Sequence, residues 1–189
     1  LFLHERSKPP DDRILLILDL DETLVHATTD AELGPGEFSV GPYQVFLRPH
    51  LEEFLAIAAE TFQIAVWSSG SQTYVEPIVR RILPDDVPVF VWSRDRCTPR
   101  FDFERQEVVW VKDLRKVKRR GFDLARVLIV DDTPEKVSRN FGNAVYVRAF
   151  YGEAADTELL QLAAYLPTLC EQSDVRRIEK RGWRSNTRT

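Results

Sequence analysis

Apolar residues gather in short runs along the chain, and each run is followed by polar residues. The strands predicted from these runs cover residues 14–18, 63–67, 87–92 and 126–130. A continuous apolar run bounded by polar turns is typical of a strand buried on both faces of a parallel sheet. Helices are predicted over residues 51–60, 72–83 and 153–166. Strands that alternate with helices imply βαβ units, so the pattern predicts an α/β fold with a parallel central sheet.

The segment between the first strand and the first helix is rich in glycine and proline. Gly34-Pro35-Gly36 and Gly41-Pro42 punctuate it, and extended runs lie at 38–40 and 43–47. Because such punctuation marks turns between strands, residues 26–47 are predicted to form a short β-hairpin flap. Further short elements are predicted as an extended run at 107–111, a helix at 135–140 and a strand at 144–147.

The stretch at residues 93–105 has no clear periodicity, and we predict an irregular insertion there. It carries the arginines Arg94, Arg96, Arg100 and Arg105. Two interpretations are open at this point. Guanidinium groups suit phosphate or acidic residues at the mouth of a site, and a solvated charged loop has the same composition.

The chain is predicted to hold one domain over residues 13–173, after a leader at 1–12. A basic tail follows at 174–189, with the charges of Arg176, Arg177, Lys180, Arg181, Arg184 and Arg188. A charge-rich end of this kind is typical of a solvated or partly disordered tail, and partner binding is the alternative.

Composition and charge limit the function classes. The 189 residues carry a formal net charge of −4, which gives no whole-chain argument for binding nucleic acid or an anionic membrane. Cys97 and Cys170 have no metal-binding spacing, and no apolar run approaches the roughly 20 residues of a membrane span. We therefore expect no membrane partner, consider nucleic acid an improbable one, and expect a cytoplasmic protein, or a nuclear one in a eukaryote.

Polar side chains follow several of the predicted strands at their carboxyl ends. Asp19 and Asp21 follow the first strand, Ser68-Ser69 the second and Asp131-Asp132 the fourth, and Lys112 ends the extended run at 107–111. In an open α/β sheet, ligands bind beyond these strand ends. Taken alone, the first pair has two interpretations: a polar turn in which Asp21 or Thr23 caps the next element, or two carboxylates that need a cation.

Taken together, the strand-end residues suit phosphoryl transfer. A carboxylate can act as nucleophile through an aspartyl-phosphate, which divides one difficult step into two. Mg²⁺ prefers oxygen ligands and would offset the repulsion among the aspartates. Lys112 would neutralise the phosphate, and Ser68 would hydrogen-bond its oxygens. The alternatives are a surface lysine at a helix start and a serine that caps the following helix.

The stretch Asp19-Leu20-Asp21-Glu22-Thr23-Leu24-Val25-His26 matches the DxDxT signature of the haloacid dehalogenase (HAD) superfamily. More narrowly, it resembles the phosphatases that act on the RNA polymerase II C-terminal domain, and their small relatives. Further matches follow in the family's order at 66–69, 111–114 and 127–134. The resemblance spans roughly residues 13–165. It implies a Rossmann-like, HAD-like three-layer sandwich with a short flap and no large cap domain.

The resemblance also implies roles for individual residues. Asp19 would be the nucleophile, and Asp21 the general acid and base. The phosphate-binding set would be Thr23, Ser68, Ser69 and Lys112, with Thr23 also fixing the loop. The Mg²⁺ ligands would be Asp19, Asp21 (through its carbonyl), Asp131 and Asp132, of which the last stands where relatives usually have asparagine.

The function implied is Mg²⁺-dependent hydrolysis of phosphomonoesters, with a phosphoserine or phosphothreonine protein or peptide as the expected substrate. A phosphatase for small molecules or nucleic-acid ends would use the same chemistry. A non-catalytic binding module on the same fold is the alternative from another class.

Overall fold

The central sheet of this protein is parallel throughout. The computed structural model describes residues 12–30 and 33–185. Its strands are β1 (Leu15–Leu18), β5 (Gln63–Trp67), β6 (Pro88–Trp92), β9 (Val127–Asp131) and β10 (Ala144–Tyr146). They lie side by side in the order β10-β9-β1-β5-β6. Each neighbouring pair runs in the same direction, so the predicted α/β fold class is confirmed.

Strand β1 lies at the centre because every one of its side chains can be buried. Leu16 and Leu18 face one apolar core, and Leu15 and Ile17 face the other. Helices α1 (Leu51–Thr61), α2 (Gln72–Ile82) and α4 (Glu158–Tyr165) contribute to the first core, and the short α3 (Arg115–Arg119) contributes to the second. This arrangement is the predicted three-layer sandwich, in which successive side chains of a strand point to opposite layers.

The flap is a three-stranded antiparallel sheet of order β2-β4-β3. The predicted hairpin is present as β3 (Phe38–Val40) and β4 (Tyr43–Leu47). The third strand, β2 (Val25–Thr28), was not predicted, because its four residues are mostly half-buried and show neither a long apolar run nor clear alternation. Val25 pairs with Leu47, so the flap begins directly after the loop that follows β1.

The prediction of an irregular insertion at 93–105 is wrong. After a 3-10 turn at Arg94–Arg96, β7 (Thr98–Asp102) pairs antiparallel with β8 (Glu107–Val111). Strand β7 was missed because most of its side chains are exposed and it contains a proline. Such a strand is held by main-chain hydrogen bonds to its partner, and these leave no apolar signal. The extended run predicted at 107–111 is confirmed as β8.

Two predicted helices are shorter than expected. The helix predicted at 153–166 begins only at Glu158, and the one predicted at 135–140 is a 3-10 turn at Pro134–Val137. Among the described residues, no helix is long and apolar enough to cross a membrane.

The prediction of a solvated basic tail is wrong for residues 174–185. Val175 and Trp183 are buried in the main core, and the Trp183 indole donates a hydrogen bond of 2.9 Å to the Tyr146 carbonyl. Trp183 also stacks on Tyr165, with ring centroids 5.4 Å apart. The high content of arginine predicted an exposed segment, but one buried tryptophan anchors it to the core. Residues 1–11 of the predicted leader and residues 186–189 of the tail lie outside the described part, and the division into 1–12, 13–173 and 174–189 stays a prediction.

Candidate active site

The loop after β1 turns sharply and is held by its own backbone. The amides of Leu24 and Val25 donate to the Leu20 carbonyl at 2.9 and 3.1 Å, and the Asp19 amide donates to the Val130 carbonyl at 3.0 Å. Glu22 has a φ of 56°, a left-handed conformation uncommon for residues other than glycine. The turn therefore fixes Asp19 and Asp21 at the carboxyl edge of the sheet.

Sheet order explains why the polar strand ends meet. Strand β1 lies between β9 and β5, so Asp131 and Ser68 flank Asp19 on its two sides. Strand β8 delivers Lys112 to the same point, since the Lys112 amide donates to the Lys136 carbonyl at 2.7 Å. Asp19, Ser68, Lys112 and Asp131 all have 0% exposure.

Lys112 bridges two buried carboxylates. Its ammonium nitrogen lies 2.6 Å from Asp19 Oδ1 and 2.6 Å from Asp131 Oδ2. Burial alone would raise the pKa of Asp19, but Lys112 and Lys136 hold it below its ordinary value. Burial and the Asp19 charge raise the pKa of Asp131. Asp19 is thus the carboxylate that the site keeps ionised.

The carboxylates form an oxygen-lined cluster that suits a hard divalent cation. One oxygen each from Asp19, Asp131 and Asp132 lie within 4.8 Å of one another. Burial raises the pKa of Asp132, and Asp19 Oδ2 accepts no hydrogen bond from the described residues. A bound cation would stabilise the ionised form of these carboxylates. It would also provide a partner for the Asp19 oxygen that accepts no hydrogen bond. The donor set therefore fits a divalent metal ion.

Asp21 stands apart from that cluster. One of its oxygens accepts a 3.0 Å hydrogen bond from Ser68 Oγ, and the other accepts one from the Tyr74 hydroxyl. Ser68 Oγ in turn accepts a hydrogen bond of 2.8 Å from the Gly70 amide. Burial and the neighbouring Asp19 charge raise the pKa of Asp21. The pKa values of two carboxylates in one loop are thus shifted in opposite directions, with that of Asp19 lowered and that of Asp21 raised.

The side chains of Thr23 and Ser69 form no hydrogen bond with the carboxylate cluster among the described residues. The Thr23 hydroxyl is buried and has no partner among the described residues, while the Thr23 carbonyl accepts a 3.0 Å bond from Arg48. Ser69 is half-buried, and its carbonyl accepts a 2.6 Å bond from Arg94. Their predicted roles with phosphate stay predictions.

Sequence reasoning missed Tyr74 and Lys136. Tyr74 lies in the first turn of α2, where nothing in the helical pattern shows that its hydroxyl reaches a neighbouring strand end. Lys136 Nζ lies 3.6 Å from Asp19 Oδ2 and 3.9 Å from Asp132 Oδ1. A weak signal was present for Lys136, because it follows Asp132 by four residues, although the helix predicted there begins only at residue 135.

Two of the arginines in 94–105 contact neighbouring elements, and a role of this group with phosphate stays a prediction. Arg94 is anchored beside the site, since its amide donates to the Gly70 carbonyl at 2.8 Å and its guanidinium lies over the Trp110 ring. Arg105 instead forms a 2.5 Å ion pair with Glu135, which ties the β7–β8 hairpin to the turn that carries Lys136.

Comparison with known families identifies one matching model. The model of the NLI interacting factor-like phosphatase family matches residues 14–176. The chain is 33% identical over 182 residues to a human protein, carboxy-terminal domain RNA polymerase II polypeptide A small phosphatase 1, covering 92% of this chain and 66% of that protein. It is 31% identical to CTD small phosphatase-like protein 2 of Dictyostelium discoideum, covering 91% of this chain and 30% of that protein. The chain therefore spans about a third to two thirds of these relatives' lengths.

Solved structures share the fold. The fission yeast RNA polymerase II CTD phosphatase Fcp1, solved with beryllium fluoride, superposes with a TM-score of 0.56 at 23% identity, covering 73% of this chain and 42% of that one. The phosphatase-containing part of protein BF1531 from Bacteroides fragilis, complexed with Mg, has a TM-score of 0.50 at 18% identity, covering 86% and 42%. The fold class and the family resemblance inferred from the sequence are confirmed.

Proposed function

The chain belongs to the NLI interacting factor-like phosphatase family, and we propose that it hydrolyses phosphomonoesters through an aspartyl-phosphate on Asp19. The observation that carries this proposal is the contrast between Asp19 and Asp21. Asp19 is fully buried and lies 2.6 Å from the Lys112 ammonium group, whose charge offsets burial and lowers its pKa, whereas Asp21 accepts two side-chain hydrogen bonds and has a raised pKa. A nucleophile that stays ionised and an acid that holds a proton are what a two-step hydrolysis needs.

In the first step, an Asp19 oxygen attacks phosphorus and the bond to the ester oxygen breaks. The departing oxygen takes a proton from Asp21, so no alkoxide is released. In the second step, a water molecule gives a proton to Asp21 while its oxygen attacks the same phosphorus. The bond to Asp19 then breaks, which restores both carboxyl groups and yields inorganic phosphate.

Phosphate binding is assigned to groups near Asp19. Lys112 would neutralise one equatorial oxygen of the phosphoryl group, since its ammonium already lies at the Asp19 carboxylate. Ser68 and Ser69 follow β5 beside the loop, and Thr23 supports the loop through its carbonyl bond to Arg48. In the present arrangement the Ser68 hydroxyl serves Asp21, so its use for phosphate requires it to release that bond.

We propose that the divalent cation is Mg²⁺, held by Asp19, Asp131 and Asp132 together with the Asp21 carbonyl. The support is the set of three carboxylate oxygens of Asp19, Asp131 and Asp132 within 4.8 Å of one another, and the Asp21 carbonyl is added from the family resemblance. When bound, the cation supplies charge neutralisation for the phosphoryl oxygens. One solved structure with this fold contains Mg.

A phosphoserine or phosphothreonine side chain of a protein is the proposed substrate. Among the described residues the flap is a small three-stranded sheet that follows the catalytic loop, and no large cap domain is present, which supports a substrate as large as a polypeptide. The names of the relatives refer to the C-terminal domain of RNA polymerase II, a protein substrate. A small-molecule or nucleic-acid-end phosphatase uses the same chemistry, and cytoplasmic or nuclear residence stays a prediction.

A substrate screen tests this function. With Mg²⁺ present, we expect the protein to release phosphate from phosphoserine and phosphothreonine peptides faster than from sugar phosphates or from 3′- and 5′-phosphorylated oligonucleotides. Addition of EDTA is expected to stop turnover. Preference for a non-peptide substrate would contradict the substrate proposal. Absence of Mg²⁺-dependent turnover on every phosphomonoester would favour the binding-module alternative.

Replacing Asp21 with asparagine tests the general acid. We expect Asp21→Asn to slow hydrolysis of an alkyl phosphate such as phosphoserine by about 10²- to 10⁴-fold. For an aryl phosphate, burst kinetics should show a smaller loss in the first step, because a phenolate leaves without a proton. Equal losses of the first step on both substrates would contradict the assigned role. Asp86→Asn, at an exposed position, is the matched control.

A further inference from the structure

Lys136 occupies the side of Asp19 that Lys112 leaves open. Lys112 Nζ lies 2.6 Å from Asp19 Oδ1, and Lys136 Nζ lies 3.6 Å from Asp19 Oδ2. Both Asp19 oxygens lack a hydrogen bond of standard geometry from the described residues, so the ammonium groups are what distinguish them. The Lys136 side chain is 18% exposed and that of Lys112 is 0% exposed. Lys136 thus approaches the carboxylate from the more exposed side of the site.

The backbone around Lys136 is fixed. Its carbonyl accepts a hydrogen bond of 2.7 Å from the Lys112 amide, and this bond holds the backbones of the two lysines together. The next residue, Val137, is fully buried and anchors the 3-10 turn that begins at Pro134. A fixed backbone means that only side-chain torsions separate Lys136 Nζ from a group attached to Asp19 Oδ2.

Charge balance shows what Lys136 would add. The carboxylates of Asp19, Asp131 and Asp132 carry three negative charges when ionised, and Lys112 supplies one positive charge. A bound divalent cation would bring this sum to zero, which gives a phosphate dianion no net attraction. Lys136, 3.9 Å from Asp132 Oδ1, brings the sum to +1. Electrostatic attraction of a dianion in a buried site depends on such differences.

We propose that Lys136 is a second phosphate-binding cation, which contacts the phosphoryl group beside Asp19 Oδ2 while Lys112 contacts it beside Asp19 Oδ1. The inference rests on the proposed function and assigns to it a substrate-binding residue. A phosphoryl group bonded to Asp19 Oδ2 places its own oxygens closer to Lys136 Nζ than the carboxylate now is, within reach of charge-assisted hydrogen bonds.

Binding of inorganic phosphate tests the proposal without turnover. In isothermal titration calorimetry with saturating Mg²⁺, we expect Lys136→Gln to bind phosphate about ten- to a hundredfold more weakly than the wild type. Lys136→Arg keeps the charge and should stay within a few-fold of the wild type. Lys118→Gln removes an exposed lysine of α3 and should change nothing. Phosphate binding by Lys136→Gln at wild-type strength would overturn the proposal.

Binding of Mg²⁺ alone separates phosphate contact from structural damage. Lys136→Gln should bind Mg²⁺ at least as tightly as the wild type, because a positive charge beside Asp19 and Asp132 is removed. Weaker binding of both Mg²⁺ and phosphate would mean a disordered site and would count against the proposal. If the wild type binds Mg²⁺ but no phosphate, the proposed phosphatase function is contradicted as well.

Neutralisation of Asp132 is the competing role for Lys136. If this were its whole role, adding Lys136→Gln to an Asp132→Asn protein would leave phosphate affinity unchanged. Direct contact predicts that the ten- to hundredfold loss persists in the Asp132→Asn background.

Discussion

Asp19→Asn is expected to reduce Mg²⁺-dependent phosphatase turnover by about 10⁴-fold or more, the scale seen when an enzyme loses its nucleophile. The amide is a poor nucleophile and cannot form the phosphorylated intermediate. It also removes one of the two carboxylates that Lys112 bridges at 2.6 Å. The measurement is kcat on an aryl phosphate, whose good leaving group departs in the first step without a proton from Asp21.

Two checks accompany that measurement. Circular dichroism and thermal unfolding should show that Asp19→Asn is folded. Asp86→Asn, an exposed aspartate outside the site, should keep wild-type kcat. A folded Asp19→Asn protein with undiminished turnover would mean that another group attacks phosphorus.

Asp156→Ala is expected to lower the free energy of unfolding by about 3–5 kcal/mol, the cost of leaving a buried charge without its partner. The Arg48 side chain is fully buried, and its guanidinium donates to the two Asp156 carboxylate oxygens at 2.9 and 2.8 Å. It also donates to the Thr23 carbonyl and lies over the Phe150 ring. Loss of Asp156 therefore weakens the connection between the flap, the catalytic loop and α4. Urea unfolding at pH 7 measures the change.

The pH dependence of this effect has a definite sign. Burial would raise the pKa of Asp156, but the hydrogen bond from Arg48 holds it below its ordinary value of 3.8. The carboxylate therefore contributes stability above its unfolded-state pKa, and this contribution is lost as the pH falls through the lower folded-state value. The difference between wild type and Asp156→Ala should shrink below about pH 4.

The control for Asp156→Ala is a surface ion pair. Glu179 and Arg181 lie 2.7 Å apart with side chains 62% and 84% exposed, so Glu179→Ala should change the free energy of unfolding far less than Asp156→Ala does. Equal effects of the two substitutions would show that burial of Arg48 does not set the energy of its ion pair.

Local patterns predicted the sheet and the residues at its strand ends. The run at 14–18 places apolar side chains on both faces of the strand, which predicts that β1 lies between two layers. Asp19, the next residue, is then expected at the carboxyl edge of the sheet. The same reasoning brought Ser68 and Asp131 to that edge. These predictions follow from strand periodicity and sheet order, which the sequence carries locally.

The residues that sequence reasoning missed depend on contacts between distant segments. Tyr74 reaches Asp21 only because α2 packs beside the loop, and Trp183 is buried only because Tyr146 and Tyr165 provide its partners. Strand β7 exists because β8 pairs with it. Such contacts are decided by tertiary packing, which overrides local propensity and composition.

The central claim is that Asp19 carries the phosphoryl group during turnover, and the most direct measurement is mass spectrometry of the acid-quenched protein. After mixing with Mg²⁺ and an excess of aryl phosphate, the wild type should carry one added phosphoryl group on the peptide that contains Asp19, and Asp19→Asn should carry none. Hydroxylamine should remove the group, because an acyl phosphate reacts with it and a phosphoserine does not. A stable phosphoryl group on a serine, or on the peptide that contains Asp131, would contradict the account.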